Sequence, residues 1–263
     1  MPTYTQDKRL LAVNSSLGKD VLLLRAFSGR EEMSRLFRYQ LELLSQNFAI
    51  TAPDIVGQGV TFSVNHFDKE PRFFHGIVSR FTAGSRHFRG FRTYRAEVVP
   101  WLWFLTRTAN CRIFQKMSVP DIIQAVFSEL GFTDFELSLQ KSYVKWEYCV
   151  QYRETAFNFV SRLMEHEGIF YYFRHQEGKH TLVLADQKSG YTDCVENLVK
   201  YSSGSLAHNH ISGWEHQYEF RSGKWAQTDY NFETPSTSLL TNENTLVPLP
   251  NISKYELFDY PGE

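Results

Sequence analysis

The segment WEYCVQYRETAFNFVSRLMEHEGIFYYF, residues 146–173, sets the local fold in the middle of the chain. Over 146–152, large apolar or aromatic residues alternate with smaller or polar ones, which predicts a half-buried strand. From Ala156 the apolar residues follow helical spacing, with Thr155 placed to cap the helix and Gly168 placed to end it. The run IFYYF then resumes a strand, so we predict the order strand, short helix, strand.

The same segment carries Glu165, His166 and Glu167, which raise the question of a catalytic or metal site. Consecutive residues on a helix point in different directions, so these three side chains cannot converge on one ligand. A zinc-protease helix needs two histidines four residues apart, and a glycosidase needs two carboxylates facing each other across a cleft. Arg162 is spaced to pair with Glu165 on the helix surface. We therefore predict a structural helix end, with no catalytic residue, cofactor or metal ion in the chain.

The composition limits the class of protein. The 263 residues are 42% hydrophobic and 22% charged with a net charge of -1, which predicts a globular chain of one large or two ordinary domains. Near neutrality argues against a general nucleic-acid or membrane-surface protein. The aromatic share of 16% fits an aromatic β core or an interface buried in an assembly. Separated cysteines (Cys111, Cys149, Cys194) without a signal-peptide pattern or a transmembrane run indicate a reducing cytoplasm.

The pattern changes from β-structure to mixed structure after the first hundred residues. Alternating runs separated by turns in the first part predict a small antiparallel barrel or sandwich. Ser118 and Asp121 then begin a helix over 119–130 with one apolar stripe. A hairpin turning near Gly178 completes an α/β unit over roughly 108–186.

Beyond this unit the run HNHISGWEH places His208, His210 and His216 on one face if the chain is extended. Histidines at this spacing can share a metal ion. A Ser-Gly pair interrupts the run and no carboxylate partner is evident, so we interpret them as exposed strand and turn residues. The later run over 236–253 predicts a loop.

Residues 72–95 combine arginine and aromatic side chains without an acidic residue. The arginines are Arg72, Arg80, Arg86, Arg89, Arg92 and Arg95. Arginine beside aromatic rings is typical of single-stranded nucleic-acid binding, which a small barrel can host. Because the whole chain is near neutral, acids must gather elsewhere, and we predict that this arginine band is an assembly surface. Single-stranded nucleic-acid binding is the alternative, and a hydrolase ranks behind both.

Five segments of the chain resemble the N-terminal region of VgrG, the spike protein family of type VI secretion. They are SGREEMSRLFRYQLELLS, FFHGIVSRF, VVPWLWFLTRTANCRIFQKMSVPDIIQAVFSELGF, WEYCVQYRETAFNFVSRLMEHEGIFYYFRH and LFDYPGE. They occur in order and span nearly the whole chain. The resemblance implies a mainly β fold of phage tail hub-like β-barrel domains with an inserted α/β unit. It also implies a structural role for residues 146–173.

The resemblance further implies a division into four parts. Residues 1–107 would form the first hub β-barrel lobe, and 108–207 the inserted α/β domain. Residues 208–234 would return to the first barrel, and 235–263 would be the truncated start of the next hub domain. The second barrel, the OB-like domain and the β-helical needle of the family would be missing.

The partners and location expected of such a chain also follow from the resemblance. Three chains would form a pseudo-sixfold ring that adapts the hexameric Hcp tube to the spike. Partners would be the chain itself as a homotrimer, the Hcp tube, baseplate proteins and effectors or adaptors, with a PAAR tip protein binding only through the missing C-terminal part. Nucleic acid and stable membrane insertion are not expected. The protein would stay in the bacterial cytoplasm before firing and then be secreted by type VI secretion without a signal peptide.

Overall fold

The computed structural model describes residues 4–65, 70–87, 90–191, 193, 198–204, 210–247 and 249–262, apart from the side chains of residues 86 and 87. The chain divides into two compact units, residues 1–192 and 193–263. No helix among the described residues is both long enough and apolar enough to span a bilayer.

Six strands of the first unit form one antiparallel sheet. They are β1 (Leu11–Ser15), β2 (Leu23–Arg30), β3 (Arg38–Ser45), β4 (Gly59–Val64), β5 (Arg72–His87) and β6 (Phe91–Val99). Their order across the sheet is β1-β4-β5-β6-β3-β2. In β3 every second residue from Tyr39 to Ser45 is buried, which is the alternation expected of a strand with one face on the core. That core is rich in aromatic rings, with Phe62 and Phe74 stacked at a centroid distance of 5.0 Å.

The two edge strands of this sheet, β1 and β2, are joined by the side chain of Gln6. Its Oε1 accepts hydrogen bonds from the backbone N–H groups of Val13 (2.9 Å) and Leu24 (3.2 Å). Its Nε2 donates to the Val13 carbonyl oxygen (3.0 Å). The sheet therefore curls until its edges meet across one side chain. The predicted mainly β fold is confirmed.

The remainder of the first unit mixes helices and strands. Its helices are α1 (Val119–Glu129) and α2 (Ala156–Glu167), and its strands are β7 (Ala109–Phe114), β8 (Phe135–Ser138), β9 (Cys149–Thr155), β10 (Phe170–Gln176) and β11 (Lys179–Ala185). Strands β10 and β11 form the predicted hairpin, β8 lies parallel to β11, and β7 pairs antiparallel with β9. Short 3₁₀ helices occur at Ala52–Asp54, Trp101–Arg107 and Lys188–Gly190. The two α-helices bury Ile123, Phe127 and Phe159 completely in a second hydrophobic cluster.

Helix α1 begins at the capping box that the sequence predicts. The Asp121 N–H donates to Ser118 Oγ (3.4 Å), and the Ser118 N–H donates to Asp121 Oδ2 (3.2 Å). The Ser118 hydroxyl also donates to the same carboxylate oxygen (2.6 Å). These bonds satisfy backbone donors that the first turn of a helix leaves without partners.

Ser118→Ala is expected to lower the free energy of unfolding by about 1 kcal/mol, because it removes the cap of α1. Urea denaturation of the purified chain measures this loss. Ser128→Ala, on an exposed position of the same helix, is the matched control and should cause no loss. Equal stability of the two variants would contradict a stabilising role for the cap.

The strand predicted over 146–152 is displaced along the chain. It occupies Cys149–Thr155, and Trp146 forms only an isolated bridge with Met117. The helix prediction is confirmed, since α2 starts after Thr155 and ends at Gly168 in the left-handed conformation with φ of 69°.

The buried face of β9 is the less aromatic one. Cys149 and Gln151 are buried, whereas Tyr148 and Tyr152 are 55% and 64% exposed. Burial of Gln151 is compatible with its polarity because its Oε1 accepts from Arg112 Nε (2.8 Å) and its Nε2 donates to a backbone carbonyl.

The predicted pairing of Arg162 with Glu165 is wrong. Arg162 instead donates from Nε and Nη2 to the carboxylate of Glu154, at 2.9 to 3.2 Å, and from Nη2 to the Val150 carbonyl oxygen (2.7 Å). Glu154, at the end of β9, binds two nitrogens of the planar guanidinium with its carboxylate. Glu165, three residues further along the helix, does not offer this geometry here.

The second unit contains short strands. They are β12 (Lys200–Tyr201), β13 (His210–Ile211), β14 (Lys224–Gln227), β15 (Thr241–Asn244) and β16 (Glu256–Asp259), with a 3₁₀ helix at Ile252–Lys254. Strand β14 pairs antiparallel with β15 and parallel with β16. The loop predicted over 236–253 therefore contains a strand, β15, which is held by pairing with a distant segment. The division of the chain into four parts stays a prediction.

Candidate assembly surface

The arginine band occupies β5 and β6, and its members do not share one face of the sheet. Arg80 and Arg95 lie on the outer face, opposite the aromatic core, where Arg80 is paired with Glu97 across the strands and Arg95 with Thr82. A register shift between Val78 and Arg80 reverses the faces of the sheet to which the following residues of β5 point. Both arginines are exposed, and neither forms an ion pair with another described residue.

Two other members of the band lie beside core rings. The guanidinium of Arg72 is 4.9 Å from the ring centroid of Phe74, and that of Arg92 is 5.6 Å from the ring centroid of Tyr94. Arg92 also donates to the carbonyl oxygen of Gly84 in β5 (3.0 Å) and to that of Phe48 in the turn after β3 (3.3 Å). These two arginines thus stabilise the sheet locally.

The last two members of the band cannot be placed on a face. The side chain of Arg86 and the whole of Arg89 lie outside the described residues. The assembly role of the six arginines therefore stays a prediction.

The outer face carries acids from neighbouring strands beside its arginines. Glu97 is 8% exposed, and its carboxylate accepts hydrogen bonds from Gln40 Nε2 (3.0 Å) and the Ser79 hydroxyl (3.0 Å). Glu42 lies directly across from Arg95 in the strand pairing. The face is therefore a mosaic of both signs, which specifies the register of a partner better than a uniform charge would.

The three adjacent side chains near the end of α2 lie in three different environments. The His166 ring meets the Trp146 ring edge-on, with centroids 5.1 Å apart. Glu165 lines a cleft beside Tyr171. Glu167 acts on Tyr143, whose pKa is raised by burial, by the neighbouring Asp186 and, last, by Glu167 itself. The three groups do not surround one ligand position.

The histidine run also shows no metal geometry within the part of the chain that the structure describes. Among those residues, no group of three or more potential metal ligands comes together. His210 lies in β13, and His216 accepts a hydrogen bond from Trp214 Nε1 (2.9 Å), while His208 lies outside the described residues.

A cluster of three other histidines lies where the six-stranded sheet meets the β10–β11 hairpin. His75 is in β5, and His175 and His180 are directly paired across the hairpin. The Nδ1 atoms of His75 and His180 are 2.8 Å apart, and the His75 N–H donates to Nδ1 of His175 (3.2 Å). Phe37 packs against both hairpin histidines, so the cluster is part of the seam between the two hydrophobic clusters.

The hydrogen-bond partners assign the proton that joins His180 to His75. The Trp101 N–H donates to Nε2 of His180 (2.9 Å), so neutral His180 carries its proton on Nδ1 and donates it to Nδ1 of His75. Nδ1 of His175 lies 3.2 Å from the His75 N–H nitrogen and 3.1 Å from the His75 carbonyl oxygen, and its Nε2 is 3.2 Å from the Tyr39 hydroxyl. Tyr39 in turn donates to the carboxylate of Glu31 (2.6 Å).

Electrostatics favour the neutral state of the cluster. Burial, followed by the neighbouring His175, lowers the pKa of His75 to about 4. Burial, then His75 and His175, lowers the pKa of His180 to about 3. Burial also lowers the pKa of His175, against the opposing charge of Glu31. A proton entering the cluster would replace a hydrogen bond between two rings with repulsion between them.

The sequence contained one signal for this cluster that pattern analysis missed. A hairpin turning near Gly178 places His175 opposite His180, as the structure has them. The third member is a hundred residues away in β5, and only the folded chain brings it to the pair.

Comparison with known proteins fits this fold. The chain matches the phage tail baseplate hub family (GPD) over residues 30–263. Two spike proteins of the type VI secretion system of Pseudomonas aeruginosa, VgrG1c and VgrG1a, are 44% identical over 99% and 97% of this chain. The chain spans 36% and 40% of their lengths. The actin cross-linking toxin VgrG1 of Vibrio cholerae is 31% identical over 94% of this chain, which covers 23% of that protein.

Solved structures show the same architecture. The E. coli c3393 protein, a type VI secretion component described as similar to T4 tail proteins gp27 and gp5, matches with a TM-score of 0.58 at 26% identity, over 70% of this chain and 49% of that one. A 43 kDa tail protein of prophage MuSo2 from Shewanella oneidensis shares the fold at 13% identity, with a TM-score of 0.55 over 94% of this chain and 71% of that one. The chain therefore belongs to the phage tail baseplate hub family, and it is similar over nearly its whole length to part of the VgrG spike proteins of the type VI secretion system.

Proposed function

We propose that this chain acts as a structural hub of the type VI secretion apparatus, in which three copies form a pseudo-sixfold ring that adapts the Hcp tube to the spike. The observation that carries the proposal is the curled six-stranded sheet, closed by Gln6, in a chain of the hub family. A closed antiparallel sheet is a rigid wall element, which suits a ring that must bear load.

A structural role without catalysis is part of the proposal. It is supported by the dispersed environments of Glu165, His166 and Glu167 and by the relatives, which are spike proteins by name. The toxin relative does not weigh against it, because the match covers less than a quarter of that protein.

The proposal includes a location and partners. The chain waits in the cytoplasm and leaves by type VI secretion together with effectors, after contacts with baseplate proteins. Similarity to spike proteins of the type VI secretion system supports the route. In a hub made of copies of one chain, each subunit meets its neighbour through two different patches, a heterologous contact that closes into a ring.

Within this ring we assign the assembly contact to the outer face of the sheet around Arg80 and Arg95. Its support is the exposure of both guanidinium groups beside acids that lie on adjacent strands. A second copy, or the tube beneath the ring, would match this arrangement of positive and negative charges in one register only.

The double change Arg80→Glu and Arg95→Glu is expected to weaken self-association, or association with Hcp, by about tenfold or more, because two attractive contacts become repulsive. Sedimentation velocity over a range of concentrations, with and without purified Hcp, measures both equilibria. Circular dichroism establishes that the variant is folded.

The matched control carries the same charge change elsewhere. Lys145→Glu with Lys188→Glu alters two exposed side chains of the mixed helix and strand region and should assemble as the unchanged protein does. Normal assembly of the Arg80 and Arg95 variant would disprove the assigned surface. Salt-dependent binding of single-stranded DNA, lost in that variant, would favour the nucleic-acid alternative instead.

A further inference from the structure

A groove of about 870 Å³ lies on the outer face of β2 and β3, opposite the aromatic core. Strand pairing places Ser28 beside Gln40 and Arg30 beside Arg38 on this face. The charged residues that line the groove are Arg30, Glu32, Arg35 and Arg38, and the others are Ser28, Gly29, Leu36, Gln40 and Phe157. Phe157 belongs to α2, so the groove combines the sheet, the turn after β2 and a helix.

The turn between β2 and β3 is fixed in place. Ser34 has a φ of 55°, in the left-handed region that a serine rarely adopts. Its N–H donates to the Tyr171 carbonyl oxygen (2.8 Å), and the Tyr171 N–H donates to Ser34 Oγ (3.3 Å). A strained turn that two such bonds hold to the start of β10 is a feature that recurs at binding sites. Arg35 follows directly, so its backbone is held while its side chain is exposed.

The groove carries an excess of positive charge. Arg30 contacts Glu32, so these two charges cancel. Arg38 Nη1 is 3.9 Å from Glu97 Oε2, but that carboxylate already accepts two other hydrogen bonds. Arg35 forms no ion pair with another described residue. The guanidinium groups of Arg35 and Arg38 therefore have donors to offer to an anion.

The openness of the groove indicates the size of its occupant. All four charged lining residues are exposed, as are Ser28, Gly29 and Gln40. A small molecule binds in a pocket that encloses most of its surface, and a groove with so exposed a lining does not enclose one. The groove instead fits a segment of a larger molecule that lies across it.

The neighbouring groups favour an acidic protein segment over a nucleic acid. Leu36 and Phe157 are half-buried apolar side chains in the same lining as the arginines. An acidic residue next to an apolar one would contact both kinds of surface at once. A phosphate backbone would be repelled by Glu32 and Glu97, and its binding depends on several free cations. The groove offers one fully unpaired arginine among the described residues, which suits a single carboxylate better.

We propose that this groove binds an acidic segment of a partner protein. A carboxylate of that segment binds Arg35 and Arg38, because a planar guanidinium can donate two parallel hydrogen bonds to it. An apolar side chain next to the carboxylate packs on Leu36 and Phe157.

The binding test uses short peptides and the whole chain. The probe alternates aspartate with leucine and has both ends blocked and a neutral fluorescent label. Fluorescence anisotropy at low salt is expected to give a dissociation constant of about 1 mM or less. The same peptide with asparagine in place of aspartate should bind about tenfold more weakly, because it lacks the charge-assisted hydrogen bonds. A version with serine in place of leucine should also bind more weakly, because it loses the apolar contact.

Variants test whether the arginines of the groove are responsible. Arg35→Gln and Arg38→Gln should each weaken binding of the aspartate peptide by about tenfold, since each removes one guanidinium group. Arg25→Gln is the matched control, because Arg25 is an exposed arginine of the same strand that does not line the groove, and its Nη1 is 4.0 Å from Glu42 Oε2. This control should bind the peptide as the unchanged protein does, and circular dichroism establishes that all three variants are folded.

Three results would overturn the proposal. They are equal binding of the aspartate and asparagine peptides, unchanged binding in both groove variants, and no binding of the aspartate peptide at about 5 mM. A single-stranded thymidine oligomer that binds more tightly than the peptide, and loses this binding in Arg35→Gln, would assign the groove to nucleic acid and would overturn it as well. None of these measurements uses Hcp or changes Arg80 or Arg95, so this proposal and the proposed ring contact are tested separately.

Discussion

The chain is expected to lose about 2–4 kcal/mol of its free energy of unfolding between pH 7.5 and pH 5 through His75 and His180, with the share of His75 reduced by solvent screening of its partly exposed ring. Both have pKa values lowered by burial, to about 4 and about 3, from the ordinary 6.5. At pH 7.5, one unit above the ordinary pKa, both histidines are almost entirely neutral in the folded and unfolded chain, so their contribution to stability is fully present.

The sign follows from where the protons go. As the pH falls below 6.5 the unfolded chain binds protons on these histidines, and the folded chain excludes them. Each histidine that stays neutral therefore costs about 1.4 kcal/mol of stability for every pH unit below 6.5, until its folded pKa is reached. The window from pH 6.5 to 5 lies above the ordinary titration range of carboxylates, so the loss is assigned to histidine.

Urea denaturation at pH 7.5, 6.0 and 5.0 measures the loss. His75→Asn should reduce the pH dependence by about half, because the asparagine Oδ1 can accept the proton of His180 Nδ1 without titrating, while buried His180 still contributes its own share. His216→Asn changes an exposed histidine and should leave the slope as it was. A stability that does not change over this pH range would show that the cluster takes up protons without penalty.

Phe127→Ala is expected to lower the free energy of unfolding by about 3–5 kcal/mol. Phe127 is 0% exposed, and its ring lies edge-on to those of Trp101 and Phe135, at centroid distances of 5.0 and 5.3 Å. Truncation removes buried apolar surface and leaves a cavity that these large rings fill poorly.

Chemical denaturation with the midpoint and slope fitted together measures the effect of Phe127→Ala. Leu130→Ala, at the end of the same helix and 37% exposed, is the control and should cost far less. A loss below about 0.5 kcal/mol for Phe127→Ala would be inconsistent with a packed apolar stripe on α1.

Elements with signals inside their own segment were predictable from the sequence. The caps of α1 and α2, at Ser118 and Thr155, and the turn at Gly178 rest on interactions between residues a few positions apart. Such interactions act in any context, so the pattern alone determines them. Family membership was also evident from long ordered segments, and the comparisons confirm it.

Features that depend on distant partners were not predictable. Strand β15 exists because β14 pairs with it, and the loop composition of its own segment does not indicate this. The alternation in β9 indicates two faces but not which one is buried, because burial of Gln151 depends on Arg112 from another strand. In both cases tertiary contacts override the local preference.

The candidate sites show the same limit. The arginine band was visible as composition, but the register shift before Arg80 decides which of its members reach the outer face. Likewise, Ser161 on α2 and Tyr171 on β10 line one cleft, and no pattern in either segment marks them as neighbours.

The hydrogen bonds of the Gln6 amide lower the tendency of the protein to aggregate through its strand edges. Open strand edges recruit strands from other molecules and begin aggregation, and many β proteins blunt them with charge or proline. Here one side chain occupies the backbone groups of Val13 and the N–H of Leu24, on the two edges at once. A foreign strand would have to displace three hydrogen bonds within a buried setting before it could add to either edge. The closure thus protects a chain rich in aromatic residues from edge-to-edge polymerisation.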